Sequence, residues 1–140
     1  MNHLLFATDG SQTAMKAGDT VKTLLQAWPD AQLTIVHVTA IVGYPYEVMT
    51  DALERKLNEE ATQIERDVLD VHFAQWKDRI HFRSLTGRPG TVICQAAAEA
   101  KADLIVVGSH GKGALERTFL GSVSEEVLHL SPVPVLIARL

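Results

Sequence analysis

The sequence predicts an α/β fold, a doubly wound three-layer sandwich around a five-stranded parallel sheet. Three observations lead there. Short, near-continuous apolar runs recur along the chain, as expected of strands buried on both faces. Segments of helical periodicity separate them, so the order reads β-α-β-α-β-α-β-α-β, with no internal repeat of the unit and no low-complexity linker. Right-handed crossovers then distribute the helices over both faces of the sheet. At 140 residues, 46% of them hydrophobic and 21% charged, the chain reads as a single domain over 1–140 with room for a substantial core.

Each element has its own warrant. Leu4-Leu5-Phe6-Ala7-Thr8 is a short buried strand, and Asp9-Gly10-Ser11 turns it into a helix. Ser11 is the N-cap candidate, its hydroxyl able to accept from an orphan N–H of the first turn. Ala14, Ala17, Val21, Leu24 and Leu25 then fall on one helical face, and Trp28-Pro29-Asp30 ends it. Gln32 to Val38 is the second strand, β-branched in its middle, followed by a loop from Thr39 to about Tyr46. One long helix is expected from about Glu47 to Trp76, its apolar stripe running Leu53, Leu57, Ala61, Ile64, Val68, Val71. Ile80 to Leu85 is the third strand, closed by Thr86-Gly87-Arg88-Pro89-Gly90. Thr91 to Ala100 is an alanine-rich helix, Leu104 to Val107 the fourth strand, Ser122 to Leu130 the last helix and Val133 to Ala138 the fifth strand.

In such a sheet ligands bind beyond the carboxyl ends of the strands, where the winding reverses. Asp9, Val38, Thr86-Gly87 and Gly108 all fall on that rim. The most informative stretch is Gly108-Ser109-His110-Gly111, directly after an apolar strand, with Gly121-Ser122 at the start of a helix after nine intervening residues. Two glycine bends, one ending a strand and one opening a helix, can aim backbone N–H groups at a single anion, and phosphate is the usual guest. A lone Gly-x-x-Gly is ordinarily a structural turn; the strand–turn–loop–helix order and the Gly-Ser ending favour a ligand. Ser122-Val123-Ser124-Glu125 also fits a capping box, which uses the same orphan donors.

Composition excludes several classes. The formal charge is −4, with Lys and Arg scattered, so neither nucleic acid nor an anionic membrane is an expected partner. The first residues resemble no signal peptide, and no apolar run approaches the roughly 20 residues that span a bilayer. A lone cysteine, Cys94, reads as a small core side chain suited to a reducing, cytoplasmic setting. The six histidines show no metal-ligand spacing; His3, His72, His81 and His129 read as structural or surface residues, and His110, within the glycine turn, takes no catalytic role.

These residues together resemble the universal stress protein family, and the fit runs over essentially the whole chain. It rests on Leu4 to Ser11, Leu33 to Val38, Thr86-Gly87-Arg88-Pro89 and Leu104 to Gly121, and above all on Gly-x-x-Gly-x9-Gly-Ser at Gly108, Gly111, Gly121 and Ser122. That pattern is similar to the family's ATP-binding branch. The resemblance implies strand order 3-2-1-4-5 in an adenine nucleotide α hydrolase-like sheet. It implies ATP as ligand, with ADP or AMP not distinguished from it, and Mg²⁺ or Mn²⁺ accompanying the phosphates. Asp9 would lie near ribose and phosphates and help hold the metal. Ala7, Thr8 and Val38 would border the adenine, Val38 by backbone hydrogen bonds. Val107, Gly108 and Gly111 would wrap the ribose and first phosphates, and Gly121, Ser122, Val123 and Ser124 would meet the outer ones. Ala7 departs from the proline that ATP-binding relatives often carry there.

Asp9 has a competing role as a turn former, and Lys112, Arg117 and Arg88 can screen phosphate or simply be solvated. No general base, activated nucleophile or arginine finger stands at a recognisable spacing. The expected function is therefore a cytosolic, stress-linked regulatory switch in which ATP orders the 112–120 loop, with slow hydrolysis or autophosphorylation left open. Two alternatives stand beside it. One is an ATP-dependent substrate-activating enzyme, though neither a Ser-Gly-Gly loop, a His-x-Gly-His pair nor a Gly-x-x-x-x-Gly-Lys-Ser/Thr loop is present. The other is an interaction module with a vestigial pocket. The apolar strand 133–138, if it lies at the sheet edge, needs cover, and a second copy supplies it under two-fold symmetry; the resemblance implies a homodimer through this strand.

Overall fold

In the computed structural model, which describes residues 1–40, 50–109 and 121–139, the strands are β1 (His3–Thr8), β2 (Gln32–Ala40), β3 (Ile80–Gly87), β4 (Leu104–Gly108) and β5 (Val135–Ala138). All pair in parallel in the order β3-β2-β1-β4-β5. The helices are α1 (Gln12–Ala27), α2 (Asp51–Arg66), α3 (Pro89–Ala100) and α4 (Ser122–Leu130). The predicted architecture and strand order are those observed.

Alternation along each strand divides the core in two. Leu4 and Phe6 of β1 join Leu33, Ile35 and Val106 against Met15, Ala17, Val21 and Leu25 of α1. Leu5 and Ala7 point the other way, with Val36, Ile105 and Val107, against Ile93, Cys94, Ala96 and Ala97 of α3 and Val127 of α4. Side chains on both faces of a parallel strand are thus removed from water, which explains why these strands read as unbroken apolar runs. Cys94 is the core residue expected, its thiol pushed up first by burial and then by the carboxylate of Glu126.

Ser11 caps α1 as its position suggests, accepting from Ala14 N at 3.1 Å. Several boundaries differ. β2 runs on through Thr39 and Ala40, and β3 through Thr86 and Gly87, because these residues pair with each other across the two strands. β4 includes Gly108, which pairs with Ala138. β5 starts only at Val135, and α3 already at Pro89, where proline's missing N–H costs nothing in the first turn. Most of the expected 39–46 loop, and residues 47–49, lie outside the described residues.

The largest correction concerns the expected helix to Trp76. Thr50 caps α2, accepting from Leu53 N at 3.1 Å, and the α-helix ends at Arg66. A π-helical turn (Asp67–His72) and a 3₁₀ segment (Ala74–Arg79) follow. The wider winding, closed by Phe73 N to Val68 O at 2.9 Å, rotates the apolar stripe out of register. Val71 consequently stands 70% exposed, and Phe73 takes its place in the core against Phe6 and Trp76. Among the described residues no helix is long and apolar enough to cross a membrane.

Candidate functional site

The sheet's winding reverses between β1 and β4, which lie side by side with Ala7 paired to Val107. Beyond that pair the two strands part from each other, as Thr8-Asp9-Gly10 and Gly108-Ser109. On the β2 side the β1 ladder stops at Thr8 opposite His37, while Val38 continues one step further with only Leu85 of β3 as its cross-strand neighbour. The residues singled out on β1, β2 and β4 therefore do share one rim, at the place where sheets of this class open a crevice.

The turn after β1 is built by side chains folding back on backbone. Thr8 Oγ1 accepts from Gly10 N at 3.0 Å, and Asp9 Oδ1 accepts from Ser11 N at 2.9 Å. Gly10 has φ +81°, a conformation L-residues resist, and a Cβ there would stand 2.9 Å from the Ile64 side chain of α2. Asp9 is thus a turn former, as its alternative reading allows, and is held half-exposed at the rim by that turn. Among the described residues no group of three His, Cys, Asp or Glu side chains could hold a metal. One carboxylate suits a Mg²⁺ that arrives with phosphates, since that ion keeps waters and takes one or two carboxylates.

On the other side, the start of α4 is drawn against the end of β4. Gly121 N donates to Ser109 O at 2.7 Å, and Ser109 N to Ala138 O at 2.9 Å. Ser124, buried, donates its hydroxyl to Gly108 O at 2.7 Å. Gly108-Ser109 and Gly121, the described parts of the two glycine-containing segments, therefore lie together. Gly121 is the N-cap residue, with φ −64° and ψ 154°, and no side chain caps α4 among the described residues. This corrects the capping box: Ser122 is the first helical residue rather than the cap, and the hydroxyl bonded here is that of Ser124, which is spent on β4. Because φ at Gly121 is negative, its backbone does not need glycine; what glycine provides there is the absence of a side chain in front of the helix's first amides.

Ser122 and Val123 are exposed in the first turn of α4. Ala7, Thr8 and Val107 are buried, Ala7 and Val107 within the α3-side core, so these positions offer a ligand backbone rather than side chain. Val38 is half-buried. Gly111, His110, Lys112, Arg117 and the 112–120 loop lie outside the described residues. Arg88 is at the start of α3, with Nε 2.9 Å from Oε1 of Glu126 in α4. His37, a buried histidine in the second half of β2 beside Thr8, also stands near this rim, and no motif in the sequence marks it. Its signal was a lone titratable ring in a β-branched strand one residue before Val38.

The comparisons with known proteins fall on this same architecture. The model of the universal stress protein family matches residues 1–139. A universal stress protein of Thermus aquaticus is 38% identical over 140 residues, covering 97% of each chain. Among solved structures, MJ0577 of Methanocaldococcus jannaschii superposes with a TM-score of 0.81 at 27% identity, covering 99% of this chain and 96% of that one. A universal stress protein solved in complex with cAMP superposes with a TM-score of 0.73 at 28% identity, over 99% of this chain and 96% of that one.

Proposed function

We propose that this chain, which belongs to the universal stress protein family, is an ATP-binding regulatory protein of the family's ATP-binding branch, its nucleotide lying across the rim at the β1/β4 switch point. The observation that carries this reading is the contact of Gly121 N with Ser109 O at 2.7 Å, which draws an uncapped helix start against the glycine end of β4. Orphan amides at a helix start, with the positive end of its dipole, favour a polyanion. The cAMP bound by a relative of the same fold supports an adenine nucleotide in particular.

In this reading the backbone of Val38 meets the adenine edge, with Ala7 and Thr8 beside it. Val107, Gly108 and Gly111 follow the ribose and inner phosphate. The amides of Ser122, Val123 and Ser124 receive the outer phosphates beside the bare Cα of Gly121, whose own N–H is engaged by Ser109; Ser124 acts through its N–H, since its hydroxyl proton is engaged by Gly108. Asp9 would help hold a Mg²⁺ or Mn²⁺, which would neutralise phosphate charge. The role is a switch: nucleotide favours one conformation by its tighter affinity for it, and a partner reads that state. Dedicated catalysis is not part of the proposal. The reading places the protein in the cytoplasm.

β5 lies at the sheet edge, with Val135, Leu136 and Ile137 half-buried. A second copy pairing along 133–138 would satisfy that edge and cover its apolar side chains. Val135→Lys is expected to sediment as a monomer; a dimer unchanged by it would rule this interface out.

Calorimetric titration of the purified protein with ATP, ADP and AMP, with and without Mg²⁺, tests the main claim. Saturable binding of ATP, tighter with Mg²⁺, is expected. No binding of any of the three would leave the vestigial-pocket alternative, and ATP turnover raised well above the protein-alone rate by a second substrate would favour the enzyme.

A further inference from the structure

Arg88, the residue that precedes α3, and Gly90 in its first turn receive no task in the nucleotide-contact scheme above. Gly90, the second residue of α3, is buried against α4. A Cβ added there would lie 2.4 Å from Cγ, 2.5 Å from Cδ and 2.8 Å from Cβ of Glu126. Glu126 thus lies along bare backbone, closer than any side chain at 90 would allow. Its carboxylate is closed over by Arg88 at 2.9 Å, with the Glu126 side chain 24% exposed and that of Arg88 75% exposed. The same carboxylate also acts on Cys94, one turn further along α3, whose thiol it helps push up.

Two residues before Glu126, Ser124 ties α4 to the carbonyl of Gly108. The helix is therefore gripped on one side by the end of β4 and on the other by the start of α3, with its exposed first turn just beyond both grips. We propose that the seat of Glu126 on Gly90, closed by Arg88, is a positioning device that sets where the first turn of α4 stands and so governs affinity for the phosphate tail, not for the nucleoside. The inference rests on the nucleotide reading above and deepens it. A half-exposed ion pair adds little to global stability, so its effect belongs in ligand affinity. Amides displaced by a fraction of an ångström lose alignment with an anion, whereas adenosine, held at the strand ends of β1, β2 and β4, does not touch the first turn of α4.

The test is titration of the full chain with Mg²⁺-ATP and, separately, with adenosine. Gly90→Ala must displace Glu126 from its seat, and Glu126→Gln keeps the shape of the side chain while losing its charge. Both are expected to weaken ATP about tenfold, the scale of one charge-assisted hydrogen bond, with adenosine unchanged within about twofold. Arg88→Ala should behave as Glu126→Gln does, and Arg88→Lys should restore most of the affinity. If Gly90→Ala fails to fold, the Glu126 and Arg88 variants decide. Tighter ATP binding by Glu126→Gln would mean that a freed Arg88 contacts phosphate directly, and would overturn the proposal. Equal losses for ATP and adenosine, or no loss for either, would overturn it as well. Unaltered protein that binds neither ligand would instead remove the nucleotide reading, and this inference with it.

Discussion

The two rims of the sheet are held by different means. At the amino rim, side chains do the tying. Asp103 accepts from the amides of Asn2 and His3 at 2.7 and 2.9 Å, and His3 Nε2 meets Thr34 Oγ1 at 2.7 Å. Arg79 gives its guanidinium to the carbonyls of Leu25, Trp28 and Ala31, so one side chain satisfies the end of α1 and the turn that follows. Around the β1/β4 switch point of the carboxyl rim the closures are made by backbone and by short hydroxyl and carboxylate groups, Gly121 to Ser109, Ser124 to Gly108 and Asp9 to Ser11, with the long Arg88–Glu126 pair set apart at the start of α3. Long side chains stabilise but fill space. Glycines and short polar residues hold a rim together while leaving its amides approachable. On the proposed function, the stability of the fold and the binding of nucleotide are thereby separated along the strand axis, and substitutions at the two rims should have separable consequences.

The sharpest break of that contrast is Gly121→Asp. Aspartate is a good N-cap in the extended conformation this residue already has, so thermal stability should hold or rise slightly. Affinity for ATP should fall about a hundredfold or more, roughly 3 kcal/mol, as the carboxylate occupies and repels the phosphate position. A protein that is destabilised yet still binds ATP would reverse the assignment. Arg79→Ala is the complementary change at the other rim. Losing charged donors to three carbonyls should cost about 2 kcal/mol in urea unfolding. Calorimetry on the same variant should return the parent affinity for ATP; a loss there would show that the rims are coupled.

The smallest effect expected is one of pH. Burial, and next the proximity of His81, holds His3 below its ordinary value of 6.5. The unfolded chain therefore takes up the proton first, so stability present above 6.5 declines as pH falls through the folded value. The amides of Asn2 and His3 hold the Asp103 carboxyl below its ordinary 3.8, so its contribution persists to lower pH and is lost as pH falls through that depressed value. Melting temperature followed from pH 7 downward should show both declines, and Asp103→Asn should flatten the lower one. A profile in which Asp103→Asn changes nothing would remove Asp103 from the account of the amino rim.

Legibility from the sequence followed the same physics. Strands buried on both faces announce themselves by composition, and α1 by its period, so the sheet and both of its layers could be read off Leu4–Thr8, Gln32–Val38 and the apolar residues from Ala14 to Leu25. The helix after residue 50 misled, because a change of winding at Asp67 is a tertiary choice. Bringing Phe73 against Phe6 outweighed burying Val71, and nothing local in the sequence marks that balance. At the rim, residue types at strand ends were readable. Which serine is the cap and which the tie was not, since Ser122 and Ser124 fit either role until Gly108 O is placed 2.7 Å from one of them. Nor could spacing in sequence reveal that Gly90 exists to admit Glu126.

The most direct measurement is a crystal structure of the protein soaked in Mg²⁺-ATP. Electron density for the phosphates is expected at the amides of residues 122–124 beside Gly108, with the base against the backbone of Val38. Density for ATP elsewhere, or a rim filled by the protein's own side chains under saturating nucleotide, would contradict it.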